Sequence, residues 1–162
     1  TLIKLMIKLR SKGSEAVLIL AGGGPLESDF KEKVHLNNLS KSILMLGPIY
    51  NKDSLAALYD LADVTVVPTC IGLTAHQSLS YNVPIVTDDS IIHQASEIEI
   101  LTDGYNARIY EEGNINELAA IIEDLSNDPL LLEALKKNCR ASLSKYSMEN
   151  KVANFIRAIE IV

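Results

Sequence analysis

The sequence predicts an α/β protein with a Rossmann-like, doubly wound parallel sheet and a helical C-terminal extension. Three observations carry that prediction. Short runs rich in Val, Ile and Leu recur along the chain, amphipathic stretches of helical period separate them, and beyond residue 110 the alternation gives way to longer helical patterns.

The chain opens inside a helical pattern, TLIKLMIKLRSKG, with none of the basic start, apolar stretch and cleavage site of a secretion signal. A helix at the head of an alternating chain calls for a strand before it, so the sequence reads as part of a longer protein whose first strand lies upstream of Thr1. Strands are expected at Ala16–Ala21, Ile43–Leu46, Val64–Val67 and Val83–Val86, with a weaker fifth at Ala107–Tyr110. Runs so short and so continuously apolar are those of strands covered on both faces. Helices are expected between them at Leu26–Asn38, Ser54–Leu61, Gly72–Tyr81 and Ile92–Leu101, each closing near Gly, Asn, Asp or the next strand. Asn116–Ser126, Pro129–Lys145 and Met148–Ile161 form the extension. Asp53 or Ser54 suits the N-cap of the third helix, Asn114 and Glu117 have capping-box spacing, and Pro129 fits a first helical position.

The bulk properties narrow the function. A length of 162 residues fits one domain, and 48% apolar with 22% charged residues is the balance of a globular protein. No stretch nears the roughly 18 apolar residues of a membrane span. With 21 acidic against 15 basic residues the net charge is −6, and the basic residues form no stripe, so nucleic acid is not an expected partner. Cys70 and Cys139 stand far apart and outside any CxxC, which argues against a disulfide framework or a thiolate metal site and for a reducing cytoplasm.

Ligands of such sheets bind beyond the carboxyl ends of the strands. The loops there are Gly22–Pro25, Gly47–Tyr50, Pro68–Thr74 and Thr87–Ser90. The GGGP loop at Gly22–Pro25 is either a tight turn needing positive φ or a place where N–H groups approach an anion. It lacks both the GxGxxG spacing and the P-loop lysine, so NAD and ATP are poor fits. The small residues from Pro68 to Thr74 run directly into a helix and leave its first N–H groups free for a diphosphate. Gln77, one turn farther on, is within reach of an attached ribose, whereas His76 lies about 100° round the helix and reads as structural. Asp88 and Asp89 are adjacent at a strand end, where side chains alternate, and Asp89–Ser90 can cap the next helix, so the pair reads as structural more than as a metal site. Glu97 and Glu99, with His93 nearby, read as a solvated acidic face more than a second wall of a cleft. No cofactor and no metal is called for.

Five blocks in order, LILAGGGP, ILMLGPIY, LYDLADVTVVPT, GLTAHQSLSYNVPIVT and DGYNARIY, resemble the C-terminal domain of group 1 retaining glycosyltransferases of GT-B fold. The resemblance covers nearly the whole chain and is similar to a bacterial surface-polysaccharide branch. It implies transfer of a sugar from a nucleotide-diphosphate sugar to a sugar or lipid-linked acceptor, as in capsule or lipopolysaccharide synthesis. The acceptor half would be an N-terminal domain outside this sequence, and the whole protein would be cytoplasmic or peripheral at the inner membrane. Gly47, Pro48 and Ile49, with Tyr50 beside them, match the loop that holds the base, and Gly24 of the glycine turn is counted among the residues that bind the donor nucleotide sugar. Gly72, Leu73 and Thr74 match the turn whose amides contact phosphate. Gln77 stands where the family's second motif glutamate binds the ribose hydroxyls, and Thr69 where the first stands. Neither glutamate is present. Asn82 stands where glycine is usual, and asparagine is the residue that next best tolerates a left-handed backbone. The resemblance assigns no catalytic base to this part.

The missing glutamates lend weight to a reading of another class, a degenerate transferase domain that binds or regulates without catalysis. A different Rossmann-like enzyme or a phospho-receiver domain would need strand-end residues that the sequence lacks.

Overall fold

Every strand pairing is parallel, as helices placed between strands require. The computed structural model describes residues 1–160. In chain order the elements are α1 (Leu2–Ser11), β1 (Leu18–Ala21), α2 (Glu27–Leu36), β2 (Ile43–Gly47), α3 (Lys52–Leu61), β3 (Thr65–Val67), α4 (Thr74–Ser80), β4 (Ile85–Asp88), a 3-10 helix at Ser96–Ile100, β5 (Ala107–Tyr110), α5 (Ile115–Asn127), α6 (Pro129–Ser142), a 3-10 turn at Leu143–Tyr146 and α7 (Met148–Glu160). The expected end of the last helix at Ile161 lies outside the described residues. No helix among the described residues is long and apolar enough to cross a membrane.

The elements fall into two compact units, Thr1–Leu61 with Gly113–Asp128, and Ala62–Glu112 with Pro129–Val162. In the first, α1 buries Leu5, Met6 and Leu9 at helical spacing and packs against α5, whose buried residues are Leu118, Ala119, Ile121 and Leu125. Asn114 caps α5 by accepting the Glu117 N–H at 3.1 Å, as its spacing predicts. Arg10 closes the end of α1 onto the sheet. Its guanidinium donates to the Ser42 hydroxyl at 2.7 Å, to the Ala16 carbonyl at 2.7 Å and to the Ser14 carbonyl.

β1 and β2 pair from Leu18↔Ile43 to Leu20↔Met45, and then the register slips so that Ala21 faces Gly47. Leu46 is the extra residue of this bulge, and Gly47 takes up the bend at φ +69°. These two strands are not covered on both faces as expected. Their burial alternates, leaving Ile19, Leu44 and Leu46 exposed, because α2 buries only Val34 and α3 buries nothing. The third helix also starts earlier than expected. Asn51, rather than Asp53 or Ser54, supplies the cap by accepting the Ser54 N–H at 2.9 Å.

The second unit holds the sheet β3–β4–β5, with Val66 opposite Val86 and Val86 opposite Arg108. Here β4 is buried along its whole length, as expected of a central parallel strand. Ile71, Ala75, Leu79, Ile85, Ala107 and Cys139 form the core beneath it. Burial raises the Cys139 thiol to about 12. Asn82 sits at φ +58°, the left-handed turn that its position predicts, and feeds the chain into Val83 and Pro84. The strand proper begins at Ile85, two residues late, because Pro84 has no N–H to offer the ladder, although its carbonyl still accepts from Thr65 at 2.9 Å.

Two expected helices differ. Ile92–Leu101 is a turn followed by the 3-10 helix, since Ala95 and Leu101 at its two ends are both extended. Pro129 does open α6, but α6 stops at Ser142, whose hydroxyl turns back onto the Asn138 carbonyl at 2.8 Å.

Candidate functional site

At the carboxyl end of β1 and β2 the glycine turn and the loop after the bulge lie against each other. Gly22, at φ +146°, donates its N–H to the Gly47 carbonyl at 2.8 Å. A Cβ on Gly23 would sit 3.2 Å from Glu27 Oε2 and in ordinary contact with Pro48 Cγ at 3.6 Å, so the glycine turn lies directly against Pro48. Gly24 faces open space. Pro48 and Tyr50 are exposed, Tyr50 at 92%, and Ile49 is half-buried. Gly24, Gly47, Pro48 and Tyr50 therefore gather at one strand end.

The second unit carries the other group. α4 begins at Thr74, not at the expected Gly72, with Leu73 as its N-cap and the Gly72 carbonyl accepting from Ala75 at 2.8 Å. The N–H groups of Gly72, Leu73 and Thr74 donate to nothing among the described residues. That is the free set of amides that the sequence places there. Leu73 and Gln77 are exposed, and His76 is half-buried.

The segment ahead of this turn is strained. Thr69 (φ +69°) and Cys70 (φ +57°) are consecutive non-glycine residues in the left-handed region. The Thr69 hydroxyl is not free. It donates to Asp88 Oδ2 at 2.6 Å. Asp88 is 2% exposed, and its Oδ1 accepts from the Ser90 N–H at 3.2 Å and from Gln94 Nε2 at 3.1 Å.

Asp88 and Asp89 diverge, as adjacent strand-end residues do. Asp89 does not cap a following helix, because none forms there; it is exposed and accepts the Glu112 N–H at 2.9 Å. Nor does His93 join Glu97 and Glu99. His93 Nδ1 lies 2.8 Å from Glu112 and 3.0 Å from the Ser90 hydroxyl, and hydrogen bonds from Ser90 and then His93 hold the Glu112 carboxyl below the usual range. Glu97 is bonded by its neighbour Ser96, while the Glu99 carbonyl accepts from Tyr146. Among the described residues no three His, Cys, Asp or Glu side chains converge as metal ligands.

Sequence reasoning missed Gln94, which joins Thr87, Asp88 and Ile71. The available signal was an amide side chain a few residues beyond a strand-end aspartate.

The pattern of the family described as "Glycosyl transferases group 1" matches residues 1–142. The chain belongs to that family. This glycosyl transferase chain is 26% identical over 145 residues to the poly(glycerol-phosphate) alpha-glucosyltransferase of Bacillus subtilis (strain 168), covering 90% of the chain but 21% of that relative. It therefore spans about a fifth of that relative's length. Among solved structures it superposes on TarM with a TM-score of 0.85 at 19% identity, over 96% of this chain and 31% of that one. A further structure shows a mutant of S. aureus TarM in complex with UDP and alpha-GlcNAc-glycerol. The C-terminal domain of a group 1 glycosyl transferase, LpcC of Francisella tularensis, matches with a TM-score of 0.73 at 20% identity, over 91% of this chain and 78% of that one. The fold is thus the expected one, a Rossmann-like α/β arrangement of GT-B type with a helical C-terminal part.

Proposed function

We propose that this glycosyl transferase chain is the donor-binding part of a retaining enzyme that moves a sugar from UDP-sugar onto a bacterial cell-surface polymer. The observation that carries the reading is the run of three unpaired N–H groups at Gly72–Thr74 in a member of this family. Free amides at a helix start suit a diphosphate. In transfer they would also meet the charge that develops on the departing diphosphate, which fixed dipoles stabilise without reorganising.

Gln77 would hydrogen-bond the ribose hydroxyls, and Gly47, Pro48, Ile49 and Tyr50, with Gly24 beside them, would take the base. The choice of uracil draws on the UDP bound to TarM. A glycerol-phosphate polymer is the favoured acceptor class, by the name of the Bacillus relative, ahead of capsule or lipopolysaccharide. The acceptor side, and any group that assists it, would belong to an N-terminal domain beyond this sequence, in a protein that works in the cytoplasm or at the inner face of the membrane. β1 is paired on one side only among the described residues, and its other edge would take the further parallel strand expected upstream of Thr1.

Calorimetric titration of the full-length protein with UDP, GDP and ADP tests this. UDP should bind selectively, and Leu73→Pro should weaken it about tenfold or more, since one amide to a charged oxygen is worth about 1.5–3 kcal/mol. Leu73 is the right position because its φ of −53° already suits proline. Unchanged affinity with the fold intact would sink the reading.

One observation favours a second reading, a binding module without turnover. Thr69 replaces a motif glutamate and spends its hydroxyl on Asp88. Donor turnover by the full-length protein would exclude this.

A further inference from the structure

We infer that Gln94 is a positioning residue, whose amide together with the buried Asp88 carboxylate fixes the strained segment Thr69–Ile71 and so aims the N–H groups of Gly72–Thr74. The inference rests on the donor reading above.

Left-handed backbone is uncommon for any residue with a side chain and most costly for a β-branched one, and here Thr69 is followed at once by Cys70 in the same region. Such conformations persist only where their surroundings over-determine them. The surroundings here are two side chains. Gln94 Oε1 accepts the Ile71 N–H at 2.8 Å. Gln94 Nε2 lies 2.9 Å from Thr87 Oγ1, 2.9 Å from the Asp88 carbonyl and 3.1 Å from Asp88 Oδ1. The Thr87 hydroxyl already donates to the Val67 carbonyl at 2.7 Å, so it must accept from Gln94. That fixes which way the amide points, with its oxygen toward Ile71 and its nitrogen toward β4.

Asp88 holds the other end of the segment through Thr69, so residues 69 to 71 are tied at both ends to the buried end of β4. Ile71 is itself 0% exposed in the core. The next residue is Gly72, the first of the three free amides. Gln94 lies outside any helix or strand, so no regular element needs it there. Its side chain bridges the backbone that leads into the turn, at Ile71, to Thr87 and Asp88 at the end of β4.

The test uses the full-length protein and measures UDP by calorimetry and uridine, which has no phosphate, by NMR titration. Gln94→Met keeps the length of the side chain and removes every polar contact. It should weaken UDP about tenfold, the equivalent of one or two hydrogen bonds, and raise the donor KM, with uridine affinity and acceptor KM unchanged. Unchanged UDP affinity, or equal loss for UDP and uridine, would overturn the assignment. Should Gln94→Met not fold, Thr69→Val decides by the same comparison, since it removes a single bond to Asp88. Absence of UDP binding in the unaltered protein would remove the donor reading and this role with it, a failure seen without any variant.

Discussion

The side-chain amide of Asn106, wholly buried, donates to the hydroxyl of Ser142 at 2.7 Å across 36 residues of sequence. It also donates to the Ile100 carbonyl at 2.9 Å, while its oxygen accepts the Thr102 N–H at 2.7 Å. One residue thus joins the loop before β5 to the end of α6. Replacing it with leucine removes three hydrogen bonds and leaves the Ile100 carbonyl without a partner in the core, at about 1–3 kcal/mol, while the Thr102 N–H and the Ser142 hydroxyl lie nearer to water. Asn106→Leu should cost about 2–4 kcal/mol in denaturant unfolding, and Ser142→Ala about 1 kcal/mol. A loss under 1 kcal/mol for Asn106→Leu would contradict the network.

Gly24 and Gly47 separate binding from stability. Neither would bring a new side chain into contact, but only Gly47 has positive φ. Gly47→Ala should cost about 1–2 kcal/mol from the backbone alone. Gly24→Ala should leave the melting temperature unmoved, so any weakening of UDP that it causes reports direct contact with the donor. No effect on either would remove Gly24 from the site.

Gln77 is exposed on α4. Restoring a carboxylate by Gln77→Glu should tighten UDP several-fold, because a charge-assisted bond to a hydroxyl is about twice as strong as a neutral one. Calorimetry at two salt concentrations checks this, and weaker binding would place the ribose elsewhere.

Cys139 gives the fold an alkaline limit. Its thiol is raised from 9.0 to about 12 by burial, so between these values the unfolded chain gives up a proton that the folded chain keeps. Stability should be intact below pH 9 and fall by about 1.4 kcal/mol per pH unit above it. Tyr110, raised from 10.0 to about 12 first by burial and then by the Asp88 charge, adds to the fall above pH 10. Cys139→Ala should flatten the slope between pH 9 and 10, read as unfolding free energy against pH. An unchanged slope would show that the thiol is not the group responsible.

Much of the fold was legible because it depends on local pattern. The apolar run Ala107–Tyr110 is β5 to the residue, Asn114 caps α5, Pro129 opens α6 and Asn82 takes the left-handed turn. What was not legible depends on partners far away in sequence. Ile92–Leu101 has the apolar period of a helix, but Gln94 is drawn to β4 and only a turn and the 3-10 helix Ser96–Ile100 form. The exposed face of β1 and β2 was unreadable for a similar reason, since periodicity reports what a strand can bury and not what covers it. At the candidate site the glycines and the free amides followed from spacing. The strain at Thr69 and Cys70 did not, because nothing in those two side chains asks for positive φ.

Among the described residues one edge of β1 is unpaired, which has a practical consequence for anyone producing this protein. LILA and ILMLG are uncharged, free of proline and adjacent in the sheet, with every other side chain bare. Such a ribbon is a template for its own kind, and a second molecule can add its strand where the first one stops. The protein should therefore accumulate as insoluble material at high concentration. A lysine at Ile19, whose side chain is already bare, should return it to solution, so the yield of soluble protein becomes a simple gauge of how far this ribbon governs association.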